Sequence, residues 1–259
     1  MQNKPWLKVV IGVVVVALLA VTAGPFIYIH FIKDDAPKKF SVNDGPIAAS
    51  TASSTASSTT GSSSTTASST ATTATALSST GGAKAAGSGQ SYTLTSASQA
   101  GYRVVEVLFG QDTEGVGRTN AMTGSLTLDA AAVTAAEFTV DMTTLKSDQS
   151  NRDRKFKGEI METSTFPTAT FVITSSIELG SVPADGVGIK ASATGDLTLH
   201  GVTKSVTLEV TAKQTADSIA VAGSTDVKFS DYSIKNPSNG AVTTQDHGLI
   251  EFLLVFAKG

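Results

Sequence analysis

Hydrophobic and polar residues alternate along most of the chain beyond residue 90. In the stretch 137–145, EFTVDMTTL, the apolar residues Phe138, Val140 and Met142 are separated by polar ones. This two-residue period is typical of a strand with one buried face. About eight such stretches within some 170 residues predict an all-β domain, a sandwich or a barrel. The predicted strands cover residues 101–109, 122–128, 137–145, 168–179, 189–199, 206–211, 218–229 and 249–256.

One stretch departs from this alternation. This is the stretch 150–169, SNRDRKFKGEIMETSTFPTA. It begins with Ser150, a residue that can cap a helix, and contains Pro167, a residue that interrupts helices. We expect one or two helical turns here, which would cover one end of a sheet.

The last predicted strand is apolar on both faces. Ile250, Phe252, Leu254 and Phe256 alternate with a second row in which Glu251 is the only charged residue. Because each apolar face of a strand has to be shielded from water, one face is expected to line a closed interior. The other would pack against a linker, a helix or a neighbouring molecule, and an overfilled ordinary core is the alternative.

A tight hairpin is predicted within residues 195–208, GDLTLHGVTKSVTL. Alternating apolar residues lie on both sides of His200-Gly201, and glycine supplies the positive φ that such a turn requires. We therefore expect His200 to lie at an exposed strand end with a structural role. A catalytic role for His200 is the alternative.

The N-terminal part of the chain is strongly apolar. Residues 9–32 contain no Lys, Arg, Asp or Glu and are long enough to cross a bilayer. Trp6 and Tyr28 lie near its ends, where aromatic rings favour the headgroup region. We interpret it as an uncleaved single-pass anchor; a signal peptide cleaved after Val21-Thr22-Ala23 is the alternative.

Residues 48–80 consist almost entirely of Ala, Ser and Thr. Such a segment has too little apolar surface to offset the entropy of ordering it, so we expect a disordered linker, with O-glycosylation left open. A coil covering residues 40–89 would span roughly 40 Å. Charges flanking the span do not decide its orientation, but this linker favours an extracytoplasmic domain. The predicted organisation is an anchor at 1–39, a linker at 40–89 and a β-domain at 90–259.

Charge and composition exclude several function classes. Residues 90–259 carry 13 Lys and Arg against 19 Asp and Glu, a balance of −6, which argues against nucleic-acid binding. The chain has no cysteine, so disulfides and thiolate chemistry are excluded. Neither a Gly-x-Ser-x-Gly elbow nor a His-Glu-x-x-His motif occurs. No catalytic residue, metal site or cofactor is therefore expected; a hydrolase that uses His200 or His247 is the less favoured alternative.

Three segments together resemble the YceI-like family of polyisoprenoid-binding proteins. They are GRTNAMTGSLTLD at 117–129, the stretch 140–173 with its Arg-Asp pair before the short helix, and ATGDLTLHGVTKSVTLEV at 193–210. The C-terminal VKFSDYSIKNP and HGLIEFLLVFAK also fit the family. The resemblance extends over about residues 92–258. The anchor and linker depart from the pattern of relatives that carry a cleaved signal peptide.

The resemblance implies an extended, lipocalin-like antiparallel β-barrel of eight strands with one short helix. Its interior would hold an isoprenoid or another long-chain lipid, and no enzymatic activity is implied. A homodimer is left open. The expected tunnel wall consists of Phe138, Val140, Met142, Phe171, Ile173, Leu197, Leu199, Val206, Leu208, Phe252, Leu254 and Phe256.

The polar mouth of this tunnel is expected at Arg152 and Asp153, which match the family's Arg-Asp pair. They would meet the headgroup of a ligand or, alternatively, form a local ion pair that starts the short helix. The rival interpretation of the whole domain is a surface adhesion module with a solid β-core.

Overall fold

A computed structural model describes residues 36–44, 89–108, 110–180, 184–215, 217–238, 240 and 242–259. The predicted span at 9–32 and most of the predicted linker lie outside these ranges. Within them, no helix has the length and apolar composition needed to cross a bilayer.

Antiparallel strands make up nearly all of the regular structure in the described part of the chain. The strands are β1 (Gln90–Leu94), β2 (Gln99–Leu108), β3 (Gln111–Thr119), β4 (Met122–Asp129), β5 (Ala132–Asp141), β6 (Lys146–Ser147), β7 (Thr168–Ile173), β8 (Ile177–Glu178), β9 (Gly188–Leu199), β10 (Val202–Gln214), β11 (Ser218–Lys228), β12 (Val242–Thr244) and β13 (His247–Lys258).

Eight of these strands close into a barrel. Hydrogen-bonded neighbours follow the order β1-β4-β5-β7-β9-β10-β11-β13, and β13 pairs back with β1 through Leu94 and Phe256. The barrel that the family resemblance implied is therefore confirmed. Inward-facing side chains from the ring form one continuous apolar core, in which Phe256 is 2% exposed and Phe171 is 3% exposed.

Four of the remaining strands extend one end of this ring, while β8 pairs with the start of β5 at the other end. The β2–β3 hairpin pairs with the first half of β13, where Leu249 lies opposite Arg103, while the second half of β13 pairs with β1. Strand β12 adds to the far end of β2, and β6 adds to β3. The barrel is therefore taller on this side, at the end where β13 begins.

The short helix lies at this same end. Helix α1 (Ser150–Lys155) continues directly into a π-helical turn, Phe156–Ile160, which buries Phe156. This agrees with the one or two turns predicted between Ser150 and Pro167. Two further single turns of 3-10 helix follow β5 and β11, at Met142–Thr144 and Phe229–Tyr232.

The β9–β10 turn corrects one expectation. Both His200 and Gly201 have positive φ, 50° and 74°, as a two-residue turn of this hairpin type requires. His200 is not exposed, however. Its Nδ1 lies 3.1 Å from the carbonyl oxygen of Tyr232, and its ring packs edge-on against Phe166 at 4.6 Å. The half-buried ring is held by these two neighbours, which come from distant parts of the sequence.

The outer face of β13 is covered by a segment that composition assigned partly to the linker. Val42 packs against Ala222, Leu253 and Val255, with Phe40 beside them. Val42 is only 7% exposed. The expectation that both faces of this strand need cover is thus met, and the cover comes from residues 36–44. We call this stretch the docked segment.

Candidate ligand-binding cavity

The barrel interior is not completely filled. A cavity of about 510 Å³ lies at the end where β13 begins. Inward side chains of β2, β5, β7, β9, β10, β11 and β13 line it, and Phe156, Ile160 and Met161 close it from the side of the helix. Its volume falls within the range of typical small-molecule sites, and its lining is mostly apolar, as in such sites.

A second, smaller cavity of about 90 Å³ lies toward the other end. Its lining includes Leu254 and Phe256 of β13, Leu128 of β4 and Ile219 of β11. Its lining is mostly apolar, with Lys213 and Gln214 as the exceptions.

Three phenylalanine rings lie where the two cavities meet. The ring of Phe138 is 5.6 Å from that of Phe171 and 5.7 Å from that of Phe252. These rings and Leu208 line both cavities. The interior is therefore narrowed by an aromatic cluster at this level.

Two glycines leave room for two of these rings, those of Phe171 and Phe252. A Cβ atom at Gly195 would lie 2.5 Å from Cζ of Phe171, and one at Gly223 would lie 2.6 Å from Cζ of Phe252. Gly223 is directly opposite Phe252 in the β11–β13 pair. The Phe171 and Phe252 rings occupy the space that side chains at these two positions would otherwise fill.

Eleven of the twelve residues expected in the tunnel wall line one or both cavities. The exception is Val206, which is half-buried against the core but lines neither cavity. The inward register of the named residues on β5, β7, β9 and β13 agrees with the alternation in the sequence. Their contact with a ligand stays a prediction.

Arg152 lines the larger cavity together with the polar residues Glu106, Gln149, Asn151 and Lys155, and we call this polar part of its lining the mouth. Its guanidinium is 3.2 Å from a carboxylate oxygen of Glu106 and also pairs with Asp148. Burial disfavours the charged form, but these two carboxylates outweigh it and raise the pKa of Arg152 above its ordinary value. The mouth therefore carries a fixed positive charge that is already paired.

Asp153 does not line the cavity. Its carboxylate accepts hydrogen bonds from the Ser147 backbone N–H at 2.8 Å and from the Ser147 hydroxyl at 2.7 Å. Arg152 and Asp153 thus have different partners, and the alternative of a mutual ion pair at the helix start is not what the structure has. Asp153 instead fixes the start of α1 to β6, which places Arg152 at the mouth.

Several lining residues were missed from the sequence. Tyr102, Val104, Glu106 and Leu108 of β2 all face the larger cavity. The two-residue period of GYRVVEVLF already places them on one face, so this signal was available. Tyr102 also stacks on Phe156 at 4.8 Å, and burial raises the pKa of its hydroxyl.

The two histidines of the β-domain occupy different environments. His200 lies under Phe166 at the β9–β10 turn, with Nε2 buried and Nδ1 facing the Tyr232 carbonyl. His247 begins β13, and its Nδ1 is 2.9 Å from Asp246, whose pKa this hydrogen bond lowers. Neither lines either cavity. Across the part of the chain with a described structure, no cluster of three His, Asp or Glu residues could hold a metal ion.

The described strands thus form a closed β-barrel with an apolar internal cavity and a polar mouth. The family model of the YceI-like domain matches residues 92–256, and the chain belongs to this family. This confirms the resemblance that the motifs indicated.

Curated relatives share part of this match. A UPF0312 protein of Vibrio parahaemolyticus is 33% identical over 96 residues, which cover 36% of this chain and 47% of that protein. A UPF0312 protein of Pseudomonas putida is 32% identical over 123 residues, 44% of this chain and 60% of the relative. The chain thus spans about half the length of these relatives.

A solved structure shares this fold. A polyisoprenoid binding domain from Saccharophagus degradans, implicated in plant cell wall breakdown, superimposes with a TM-score of 0.52 at 17% identity, covering 66% of this chain and 99% of that one. BcnA of Burkholderia cenocepacia is 24% identical, with a TM-score of 0.47 and coverage of 60% of this chain and 95% of that one.

Proposed function

We propose that this protein binds a polyisoprenoid or a similar long-chain amphiphile inside its barrel. The observation that carries the proposal is the apolar cavity of about 510 Å³ that opens at a polar mouth. Membership of the YceI-like family and the likeness to a polyisoprenoid binding domain support it. A solid-cored adhesion module is less favoured because the interior holds this cavity.

Binding would draw its free energy from burial of hydrocarbon. Each methylene moved from water into the cavity contributes about 0.8 kcal/mol, so one isoprene unit offers at most about 4 kcal/mol. A few units suffice for tight binding after the entropic cost of association. Selectivity would then come from the length of the cavity and from the paired charges at the mouth.

The headgroup of the ligand would lie at the mouth, near Arg152 and the exposed Lys155. Arg152 is already engaged by Glu106 and Asp148. A phosphate or other anionic headgroup would therefore compete with two carboxylates. We propose a contact in which the headgroup meets the outer edge of the guanidinium, and not a dedicated anion pocket.

The location of the protein is the second element of the proposal. The apolar stretch 9–32 would anchor the chain in the cell membrane as a single-pass helix, with the barrel outside the cytoplasm. In that setting the barrel would store, carry or sense lipids at the membrane surface. Protease added to intact cells tests this side of the proposal: loss of the barrel supports it, and full protection contradicts it.

Lipid content tests the binding function itself. The full chain and an A169F variant would be purified in parallel, and their extracted lipids compared by mass spectrometry. Ala169 is buried and lines the larger cavity, so phenylalanine there would fill part of it. A135F, at an exposed position of β5, is the matched control. We expect an isoprenoid or long-chain lipid enriched in wild type and A135F and depleted in A169F; equal lipid in all three contradicts the proposal.

A further inference from the structure

The docked segment is fixed to the barrel by polar contacts as well as by Val42. The Arg103 guanidinium donates to the carbonyl oxygen of Pro37 at 2.5 Å, and that of Arg118 donates to the carbonyl oxygen of Lys38. Arg118 also lies 4.0 Å above the centre of the Phe40 ring. Side chains of β2 and β3 thus contact three successive parts of the segment.

These arginines belong to a buried ionic group on the outer face of the barrel. Glu251 is 1% exposed and accepts from Arg118 at 2.8 Å and from Arg103 at 3.5 Å. Arg103 also pairs with Glu114 at 2.5 Å. A guanidinium has five N–H donors, and the carbonyl groups of the segment accept from donors that the carboxylates leave. Because backbone groups at defined positions are used, the segment has one register on the barrel.

The segment has a defined direction along β13. Pro37 and Lys38 contact the guanidinium groups of Arg103 and Arg118, which also reach Glu251, while Val42 packs against Leu253 and Val255. Its N-terminal end therefore points toward the start of β13. The larger cavity and its mouth are at this end, since Gly248, Leu249 and Ile250 line it.

The predicted membrane span ends only four residues before the docked segment. From Ile32 to Ala36 a fully extended chain covers at most about 14 Å. If residue 32 is at the membrane surface, the docked segment enters the barrel from that surface. We propose that the segment holds the barrel at the membrane with the mouth of the larger cavity turned toward the bilayer. This inference rests on the proposed anchoring of residues 9–32.

The linker has a different role in this arrangement. Asp44 follows Val42, which packs near Val255, and Gly89 precedes β1, which pairs with the end of β13. Residues 45–88 thus connect two points at the same end of the barrel, away from the mouth. The tether length is set by residues 33–35 and not by the long Ala/Ser/Thr stretch. A lipid would pass between bilayer and cavity without crossing water.

Single-cysteine labelling tests the orientation, because the chain has no cysteine of its own. Lys235 is exposed beside Ile234 and Pro237 at the mouth end, and Asp217 is exposed at the β10–β11 turn at the other end. A donor fluorophore would be placed at K235C or D217C of the full chain in phosphatidylcholine vesicles that contain a headgroup-labelled acceptor lipid. Because β11 alone separates the two ends by about 30 Å, we expect at least about twofold higher transfer from the K235C label.

Two further variants distinguish a barrel that is fixed to the membrane by the docked segment from one that is tethered only by the linker. Deleting residues 51–70 shortens the linker and should leave both transfer values unchanged; a barrel that hangs from the linker would show higher transfer at both labels. The F40A/V42D double substitution should undock the segment, equalise the two labels and make them respond to the deletion. N43A, at an exposed position of the same segment, is the matched control and should behave as wild type.

The outcomes distinguish this inference from the proposed function. Equal transfer from both labels in a chain that floats with vesicles overturns the orientation alone, whatever lipid the barrel contains. A chain that does not float with vesicles overturns the anchoring and the orientation together. Amide hydrogen exchange of residues 36–44 adds a readout that does not depend on the membrane. Slow exchange in wild type and N43A, with fast exchange in F40A/V42D, supports docking. Equally fast exchange in all three proteins refutes docking.

Discussion

The ring of Phe138 lies 5.7 Å from the ring of Phe252 inside the barrel, at the level where the two cavities meet. The two side chains come from β5 and β13, which are separated in the ring by β4 and β1. For a ligand bound as proposed, they would determine how far it extends from the mouth before it meets aromatic rings. The usable length of the interior thus depends on these side chains more than on the length of the barrel.

Shortening Phe138 should lengthen the usable interior. F138A would join the two cavities and should shift the bound lipids toward longer chains in extracts of the purified protein. The loss of a large core side chain should cost about 3 kcal/mol in the free energy of unfolding, measured in urea. F166A removes a ring that packs on His200 and lines neither cavity. A similar shift in lipid length with F166A would show that the Phe138 effect is not specific to the cavity.

Adding a methyl group at Gly223 should have the opposite effect. A Cβ at this position would lie 2.6 Å from Phe252 and 3.0 Å from Val210, so the Phe252 ring would have to move toward the interior. We expect G223A to retain less lipid and to unfold about 1–3 kcal/mol more easily, as overpacked cores do.

The matched control for G223A is G158A, because nothing lies within 4 Å of a Cβ at Gly158. The double variant G223A/F252L should regain lipid, since leucine removes the displaced ring. Failure of the double variant to recover, in a folded protein, would contradict the steric explanation.

Removal of Arg152 tests the mouth. In R152A, Glu106 loses its ion-pair partner in a half-buried position, which should cost about 2 kcal/mol of stability by leaving a charge uncompensated. Retention of lipids with anionic headgroups should fall, while neutral lipids of equal length should be retained. R152K restores charge without the forked geometry and should recover binding only in part. R154A, at an exposed position of the same helix, is the control, and unchanged headgroup preference in R152A would remove Arg152 from the site.

Alkaline pH provides a test of the buried Tyr102. Burial raises its pKa above the unfolded value of 10.0, so its stabilising contribution is complete below pH 10 and is lost as pH rises further. Each such tyrosine lowers the free energy of unfolding by up to about 1.4 kcal/mol per pH unit in that range. Y102F keeps the ring on Phe156 and should reduce this slope measurably in urea titrations. An unchanged slope would contradict the buried position of the hydroxyl.

How well the sequence predicted a feature depends on how far apart in the chain the interacting residues are. Alternation within a strand is local, and it placed Phe138, Val140 and Phe252 correctly on the inner face. Strand β3, QDTEGVGRT, has no such alternation, because two glycines and several polar residues occupy it, and it was missed. Strands β1 and β12 were missed because each is short and paired to distant partners.

Features that depend on distant contacts were beyond the sequence pattern. The burial of His200 comes from Phe166 and Tyr232, and the separate partners of Arg152 and Asp153 come from β2 and β6. The docked segment was the least expected feature. Residues 36–44 have too few apolar residues to predict an ordered structure. They are held because Val42 packs against β11 and β13, and the carbonyl groups of Pro37 and Lys38 accept from Arg103 and Arg118.

Binding as a function of ligand length tests the central claim most directly. A fragment of residues 36–259, which keeps the docked segment, would be titrated calorimetrically with isoprenyl phosphates of one to four units. If burial in the larger cavity drives binding, affinity should rise at least about tenfold per unit until the cavity is full, and A169F should reach its plateau at a shorter ligand than A135F. Affinity that does not change with chain length, or identical curves for A169F and A135F, would contradict the account.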